Sequence, residues 1–418
     1  MKASESIEKF APSLRMYANF AKRTITDICK NIGPREAGTQ AELDAQNYLA
    51  EKVGDAADEV RQEEFEISHR AFLGWPRISG IIMLIATAIT AVDYYVFKDV
   101  EFSPWIMLVA ALLVLFMLVG EFLMYRKVTD AFFPKWTSHN TYCIRKPKGE
   151  VKKRIIMAGH SDSSMEWLPT HLGGKFLLYF WLGYPVVGLF ITLILTVINI
   201  VHDGDLRWTM ILSFIIAPAF VLIMFFMNNR ICVDGANDNL TGCMMGAAVI
   251  KFMGDNDIRF ENTEVIAMFS GSEEEGLRGA KAAAKLHPEW KDPNVETVFI
   301  AYDTITDYDD MGIYYRDMTM TVRQDERACC LMEKGCENAD IKVSRELLFF
   351  GASDAAACGQ AGIPSICFAA MNPGPPKYYH TRDDKADILN LKTLEKGIQI
   401  ALETTFAFDE QGLKTNYD

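Results

Sequence analysis

The stretch Arg154-Ile155-Ile156-Met157-Ala158-Gly159-His160-Ser161-Asp162 decides the fold of this chain. Its apolar first half is typical of a short buried strand, which ends on an imidazole followed two residues later by a carboxylate. Two other strand-like segments end in a similar way, 264–269 just before Glu273 and 298–302 just before Asp303. Because ligands bind outside the carboxyl ends of strands in open α/β sheets, this pattern predicts a site at one edge of a sheet.

Strand-like and helix-like segments alternate through the polar part of the chain. The predicted strands are 59–68, 140–145, 154–158, 264–269, 298–302 and 364–368, and the predicted helices are 42–53, 240–253, 276–286, 353–361 and 391–408. Such alternation predicts an α/β fold with a mixed, mostly parallel central sheet flanked by helices on both faces.

Five residues whose side chains commonly bind metals occur in this order along the sequence: His160, Asp238, Glu274, Asp303 and His380. Taken singly, each motif has a plainer interpretation, such as a polar loop, a helix N-cap or a solvated charge run. Together, two imidazoles and three carboxylates suit a pair of divalent metals. The three carboxylates and one hydroxide would balance the charge of two such cations. Asp238 is the natural bridge, which would keep the metals roughly 3.5–4 Å apart.

Two more carboxylates stand next to these ligands in the sequence. Asp162, two residues beyond His160, can accept the second N–H of that imidazole and fix its tautomer. Glu273 is a spare carboxylate beside the metals, placed to take a proton from water and to pass it to a leaving amine.

Four apolar segments interrupt this pattern, at 75–97, 104–124, 176–201 and 208–227. Each is near the ~20 residues that a helix needs to cross a bilayer. Short joints at 98–103 and 202–207 would make them two helical hairpins, the first of which fills the turn between two strands. We therefore expect this order: 1–72, start of the catalytic domain; 73–126, transmembrane hairpin 1; 127–172, catalytic domain continued; 173–229, transmembrane hairpin 2; 230–418, remainder of the catalytic domain.

The charges that flank the hairpins predict their orientation. Basic residues border the soluble side, at Arg70, Arg77, Arg126, Lys127, Lys175 and Arg230. The positive-inside rule then predicts an integral membrane protein whose catalytic domain lies on the cytoplasmic side. Nine cysteines without framework spacing, and a polar N-terminus without a signal-peptide core, agree with this. The formal net charge of -13 argues against a nucleic-acid partner.

The whole set of motifs resembles the M28 family of co-catalytic zinc aminopeptidases. The resemblance covers about 33–408 without the hairpins, and it rests on His160-Ser161-Asp162, Gly235-Ala236-Asn237-Asp238-Asn239, Glu273-Glu274-Glu275-Gly276-Leu277-Arg278-Gly279, Asp303, Ser353-Asp354, Gly362-Ile363-Pro364 and His380-Thr381. It implies a zinc-exopeptidase fold, of the phosphorylase/hydrolase-like kind, that holds two Zn²⁺ or other divalent metals.

The resemblance also implies a role for each matched residue. His160 and Asp303 would hold one metal, Glu274 and His380 the other, with Asp238 as the bridge. Glu273 matches the general base of the family. Tyr379 matches a position at which some members use a tyrosine to steady the tetrahedral intermediate, although simple packing explains a tyrosine there equally well.

The motifs leave more than one function open. The leading interpretation is a membrane-integral, metal-dependent aminopeptidase. The alternatives are an amidohydrolase or deacylase of N-acyl amino acids, a carboxypeptidase with a cationic pocket from Arg316 or Arg382, a glutaminyl cyclase, a non-catalytic receptor or scaffold, and a transporter. The retained His160 argues against the cyclase, which uses one zinc.

The second hairpin is predicted to emerge between two metal-ligand loops, so we expect the metal site to lie close to the membrane surface. The expected partners are therefore the lipid bilayer and a peptide or hydrophobic amide substrate, delivered from the membrane. The rival hypothesis is that the hairpins only anchor the enzyme or pack a homo-oligomer.

Overall fold

The computed structural model describes residues 2–97, 102–202, 207–372 and 374–417. The chain divides into two compact units. Unit 1 comprises Met1–His69, Lys135–Ser164 and Cys232–Asp418, and unit 2 comprises Arg70–Pro134 and Met165–Ile231. The chain therefore leaves unit 1 twice and returns to it twice. Most residues of the two predicted joints, 98–101 and 203–206, lie outside the described residues.

The strands, in chain order, are β1 (Glu59–Ser68), β2 (Lys135–Arg145), β3 (Lys153–His160), β4 (Met165–Trp167), β5 (Met227–Cys232), β6 (Thr263–Ser270), β7 (Glu296–Ile305), β8 (Met311–Asp317), β9 (Val322–Arg323), β10 (Ser344–Leu347) and β11 (Ser365–Ala370). The helices are α1 (Phe10–Asn31), α2 (Gln40–Val53), α3 (Ala71–Val92), α4 (Ser103–Met117), α5 (Leu168–Val201), α6 (Arg207–Met224), α7 (Leu240–Asp255), α8 (Arg278–Leu286), α9 (Glu326–Asn338), α10 (Asp354–Gln360) and α11 (Leu391–Gln411).

Unit 1 is built on a mixed sheet which, among the described residues, has nine strands. Their order is β1-β2-β6-β3-β7-β11-β8-β10, and β9 pairs with β8. The four central strands β6, β3, β7 and β11 run parallel, and β2 and β8 flank them in the antiparallel sense. The predicted α/β fold with a central parallel block is therefore confirmed. As predicted, the first insertion separates two paired strands, since Ser68 at the end of β1 lies opposite Lys135 at the start of β2.

Helices cover both faces of this sheet. Residues of α1, α2, α7, α9 and α11 share one buried apolar core with alternate residues of the central strands, such as Val298 and Ile300 of β7. Side chains along a strand point to opposite faces in turn, so Phe299 points the other way, and its ring lies 6.4 Å from that of Trp290. Helices α8 and α10 contact each other on that second face. The sheet is thus covered on both faces, which is why its central strands are apolar throughout.

Glycines let α7 approach the sheet very closely. A Cβ on Gly159 of β3 would lie 2.2 Å from the backbone nitrogen of Cys243, and a Cβ on Gly242 of α7 would lie 2.1 Å from the carbonyl oxygen of Tyr302 in β7. The backbone of α7 therefore packs directly against the backbone of β3 and β7, near the ends of these strands. This close approach brings Asp238, two residues before α7, to the carboxyl edge of the sheet.

Unit 2 contains all four apolar helices, packed as one bundle. Helix α3 contacts α4 and α6, and α5 also contacts α4 and α6. The buried centre includes Met83, Met107, Leu189 and Phe220, one residue from each helix. The outer surface is apolar as well, and many large side chains such as Ile85, Val109 and Ile194 are exposed. Helices that are hydrophobic all round are typical of membrane spans.

The structure changes the predicted number of spanning helices from four to three. Among the described residues, three helices are long and apolar enough to cross a membrane, Ala71–Phe97, Ser103–Leu123 and Leu168–Val201, whereas the described part of the fourth segment forms a shorter apolar helix, Trp208–Met224. Its last predicted residues leave the helix, because the carbonyl of Phe226 accepts from the backbone nitrogen of Leu168 and Met227 opens β5. Because these residues are as apolar as the helix before them, hydrophobicity along the sequence does not show where the helix ends.

The contact between Gly159 and α7 yields a prediction about stability. Replacing Gly159 by alanine places a methyl group against backbone that has no rotamer with which to move away. We expect the free energy of unfolding to fall by about 1–3 kcal/mol. Thermal unfolding of the purified full chain in detergent measures this. Gly54→Ala is the matched control, since a Cβ there would lie 4.0 Å from its nearest neighbour. Equal losses for the two variants would contradict the packing argument.

Candidate metal centre

Four of the five predicted ligands lie together at the carboxyl edge of the sheet. Ligand atoms of His160, Asp238 and Glu274 all lie within 4.8 Å of one another. The Nε2 of His160 is 3.1 Å from Oδ1 of Asp238, and the Nε2 of His380 is 2.8 Å from Oδ2 of the same carboxylate. His380 Nε2 also lies 3.3 Å from Oε1 of Glu274. Asp238 therefore offers one oxygen to each imidazole.

The predicted general base, Glu273, and the fifth predicted ligand, Asp303, both interact with this cluster. Glu273 Oε2 lies 3.8 Å from Nε2 of His160. Asp303 lies near the end of β7, and burial raises its pKa well above the usual range, with the charge of Asp238 adding to the rise. Burial likewise raises the pKa of Glu273, and Glu274 adds to it. Neighbouring negative charges therefore help to raise the pKa of both Asp303 and Glu273.

The carboxylates dominate the electrostatics of both imidazoles. Burial by itself lowers the pKa of His380, but the charges of Glu274 and Asp238 outweigh it and raise that pKa to about 10. The pKa of His160 is raised well above its usual value in the same way, against burial, by Glu273 and by hydrogen bonds to Asp162 and Asp238. The site therefore attracts positive charge, which protons on the histidines or bound cations can supply.

The donor set fits divalent metal ions. Among the described residues, the buried Oδ2 of Asp238 and Oε1 of Glu274 have no conventional hydrogen-bond partner, and their close neighbour is the imidazole of His380. Buried carboxylate oxygens without donors are costly unless a cation meets them. Imidazole nitrogen and carboxylate oxygen are ligands that zinc accepts.

Hydrogen bonds fix the loops that carry the glutamates. Asp162 accepts from the backbone nitrogens of Glu273 and Glu274, at 3.1 and 3.0 Å. Its Oδ1 lies 3.5 Å from Nδ1 of His160, and that nitrogen lies 3.2 Å from the carbonyl oxygen of the same aspartate. Asp162 therefore lies beside His160, but its backbone carbonyl is nearer to Nδ1 than the carboxylate that the sequence suggested. The two glutamate contacts are additional.

The loop before α7 is held in a similar manner. Asn239 is the N-cap of α7: its Oδ1 accepts from the backbone nitrogens of Gly242 and Thr304, and its amide donates to the carbonyl of Tyr302. The plain N-cap interpretation of this motif therefore applies to Asn239, while its neighbour Asp238 faces the metal centre. One side chain fixes the start of α7 against the end of β7.

Sequence reasoning missed a second carboxylate of this kind. The buried Asp384 accepts from the backbone nitrogens of Asn237 and Asp238, at 2.8 and 3.0 Å. Burial raises the pKa of this carboxyl to about 7. Its only signal in the sequence is its position four residues after His380, which does not reveal which loop it binds.

Arg35 was missed as well; it lies between α1 and α2. Its fully buried guanidinium donates to the carbonyl oxygens of Ser161, Asp234 and Gly235, at 2.7, 2.7 and 2.9 Å. It therefore ties together the loop that follows His160 and the loop that precedes Asp238. A buried cation bound to backbone carbonyls has no periodic signature in a sequence.

The remaining candidates differ in their surroundings. The ring of Tyr379 stacks on that of His380, with centroids 4.0 Å apart, and burial and the nearby carboxylates raise the pKa of its phenol, which stays protonated. Asp354 accepts from Ser270 Oγ at 2.5 Å, and burial raises its pKa to about 6. Arg316 and Arg382, the candidates for a cationic pocket, are both exposed.

Comparison with known proteins gives a family match over part of the chain, and a fold. A model of Peptidase family M28 matches residues 221–405. No curated protein matches the chain in sequence.

Solved structures share the fold at low sequence identity. BSAP, a zinc aminopeptidase from Bacillus subtilis, is 15% identical with a TM-score of 0.57, and the match covers 93% of this chain and 94% of that one. An aminopeptidase from Aneurinibacillus sp. strain AM-1 is 16% identical with a TM-score of 0.53 and 93% of each chain covered. A glutaminyl cyclase from an Acidobacteriales bacterium is 12% identical with a TM-score of 0.54, and 95% and 96% are covered. Residues 221–405 are therefore similar to Peptidase family M28, and the chain has the fold shared by these zinc aminopeptidases and glutaminyl cyclases.

Proposed function

We propose that this protein is a membrane-integral aminopeptidase that hydrolyses peptide bonds with the help of two zinc ions. The observation that carries the proposal is the placement of Asp238, which offers one carboxylate oxygen to each of two imidazoles, His160 and His380. Glu274 lies on the His380 side. The match to the Peptidase family M28 model and the fold of the zinc aminopeptidases support it.

We assign the ligand roles as the resemblance to the family implies. His160 and Asp303 would hold one ion, Glu274 and His380 the other, and Asp238 would bridge them. Bound divalent ions supply Lewis acidity, which polarises a carbonyl group and makes water acidic enough to react at neutral pH. Asp162 and Asp384 keep the ligand loops in place through their backbone hydrogen bonds.

Glu273 would move the proton. Its carboxylate lies beside the ligands and belongs to no ion pair other than the contact of 3.8 Å with His160 among the described residues. As the water attacks the scissile carbonyl, Glu273 takes its proton and then delivers it to the departing amine. Tyr379, held against His380 with its phenol protonated, could donate a hydrogen bond to the developing oxyanion.

Unit 2 supports the membrane part of the proposal. Its three long apolar helices suggest membrane association. The basic residues that border the hairpins favour a cytoplasmic unit 1. We propose that the bundle also delivers substrates from the bilayer, so that an apolar peptide or the N-terminus of a membrane protein would be a better substrate than a soluble peptide.

An N-acyl amidohydrolase is the second candidate, since the same residues would hydrolyse any amide whose carbonyl reaches the ions. The apolar bundle favours it, because N-acyl amino acids partition into lipid. The structural likeness to glutaminyl cyclases raises a third activity, against which the placement of His160 beside Asp238 argues. Aminoacyl, N-acyl and N-terminal glutaminyl reporter amides, assayed side by side, separate the three.

Metal binding is expected to depend on Asp238. We expect the full-length protein to bind about two Zn²⁺ per chain, and Asp238→Asn to lose most of both, because the amide replaces the bridging charge. Metal content after gel filtration in detergent measures this. Asp309→Asn, an exposed aspartate, is the control. Full zinc content in Asp238→Asn would refute the bridging role.

Turnover is expected to depend on Glu273 separately from metal binding. Glu273→Gln keeps the size of the side chain but cannot take a proton, so we expect kcat to fall about 10²–10⁴-fold with little change in zinc content. The exposed Glu261→Gln is the matched control. If Glu273→Gln retained wild-type turnover on every reporter amide, Glu273 would not be the general base.

The membrane orientation has its own test. The test uses a variant whose nine native cysteines are replaced by alanine. In it, cysteine introduced at Lys98, in the first predicted joint, should react with an impermeant maleimide on intact cells, and Ser344→Cys should react only after permeabilisation. Ser344 is exposed on unit 1, so its access depends on the side of the membrane alone. Labelling of Ser344→Cys on intact cells would overturn the cytoplasmic placement.

A further inference from the structure

The two ring nitrogens of His380 face different neighbours. Nε2 faces the carboxylates of Asp238 and Glu274, while Nδ1 lies 3.0 Å from Oγ of the buried Ser164. Ser164 belongs to none of the motifs from which the metal centre was predicted. We infer that Ser164 is a positioning residue, which holds His380 in the tautomer that presents Nε2 to a divalent cation. The inference rests on the metal-dependent function proposed above.

The chemistry of imidazole explains why such a partner matters. The two ring nitrogens of a neutral imidazole share one hydrogen, and only the nitrogen without it can bind a metal. The hydroxyl of Ser164 can accept from Nδ1–H of His380. With a cation at the carboxylates, this bond would keep the hydrogen on Nδ1 and leave the lone pair of Nε2 for the cation. Without this acceptor, less free energy separates the two tautomers, and one contact that orients the ring is lost.

The position of Ser164 is fixed by the segment that contains it. The backbone of Ser163 donates to the carbonyl of Arg35 at 2.9 Å, and the backbone of Arg35 donates to Ser163 Oγ at 2.9 Å. The carbonyl of Ser164 accepts from the backbone nitrogen of Val233, also at 2.9 Å. Both sides of the segment are therefore held before the hydroxyl meets His380, so little conformational entropy remains to be lost there.

One short segment thus contacts both histidines of the metal centre. Asp162 meets Nδ1 of His160, and two residues later Ser164 meets Nδ1 of His380. His160 precedes this segment directly, whereas His380 comes from a distant part of the sequence. Ser164 is also the last residue of unit 1 before the chain enters unit 2 at Met165. The group that orients His380 is consequently bonded to the first residue of the unit that carries the apolar helices.

The test measures metal binding on the full-length protein, with Co²⁺ as the probe. Metal-free wild type, Ser164→Ala and Ser164→Thr are each titrated with Co²⁺ in the presence of a competing chromophoric chelator. For Ser164→Ala we expect one of two Co²⁺ sites to weaken about 10–100-fold, together with a changed visible spectrum of the bound ion. Ser164→Thr keeps the hydroxyl and should restore both. Ser344→Ala, an exposed serine of unit 1, is the control.

The outcomes separate this inference from the function on which it rests. If Ser164→Ala binds Co²⁺ with wild-type affinity and spectrum, the inference is overturned and the proposed function stands. If Ser164→Thr is as weak as Ser164→Ala, the hydroxyl is not the cause and the inference is overturned too. If wild type binds no Co²⁺, the proposed function fails and the inference fails with it. Equal melting temperatures of the metal-free variants would show that folding is not the variable.

Discussion

Repulsion between buried carboxylates is the main constraint on the candidate metal centre, because it must be balanced by positive charge. Asp238, Glu273 and Glu274 lie close to the same two imidazoles, and their charges and that of Asp303 affect one another. Burial raises the pKa of Glu273 and of Asp303 well above the usual range. Buried like charges must be neutralised or compensated. The protein compensates part of this charge with two imidazoles. One oxygen of Asp238 and one of Glu274 are buried with only the imidazole of His380 close to both, a situation that a bound cation would relieve.

Backbone hydrogen bonds keep these repelling groups in place. Asp162 accepts from two successive backbone nitrogens of the glutamate loop, and Asp384 does the same for the loop that carries Asp238. Arg35 binds the carbonyl oxygens of the facing loops. The close approach of α7 to β3 and β7, which glycine permits, adds a rigid support behind them. The residues of the candidate metal centre are thus held in place by hydrogen bonds to the main chain.

The sequence predicted the elements whose signal is local. The apolar strands, their polar ends and α7 lie close to where periodicity placed them, because each is decided by neighbouring residues. Helix α1 was missed, although Phe10, Leu14, Tyr17, Ala21, Ile25 and Ile28 are buried at helical spacing. Many charged residues between them hid the apolar face. Strands β8 to β10 and helix α9 were missed too.

The supporting residues could not be predicted for a different reason. Asp384, Ser164 and Arg35 matter through partners that are far away in the sequence, and no spacing within one loop encodes which distant backbone atom a side chain will meet. The short fourth apolar helix is a similar case. Phe225 and Phe226 are as apolar as helix residues, but a hydrogen bond from Leu168, more than fifty residues earlier, goes to their loop.

The strand order has a consequence for biosynthesis. Strand β6 lies between β2 and β3, although it is made after both of them and after all four apolar helices. When the ribosome has produced the first half of the chain, β2 and β3 therefore have a gap between them that no available segment fills. Exposed strand edges of this kind favour aggregation. Nascent chains that stall after the second apolar insertion should thus need a chaperone until β6 arrives.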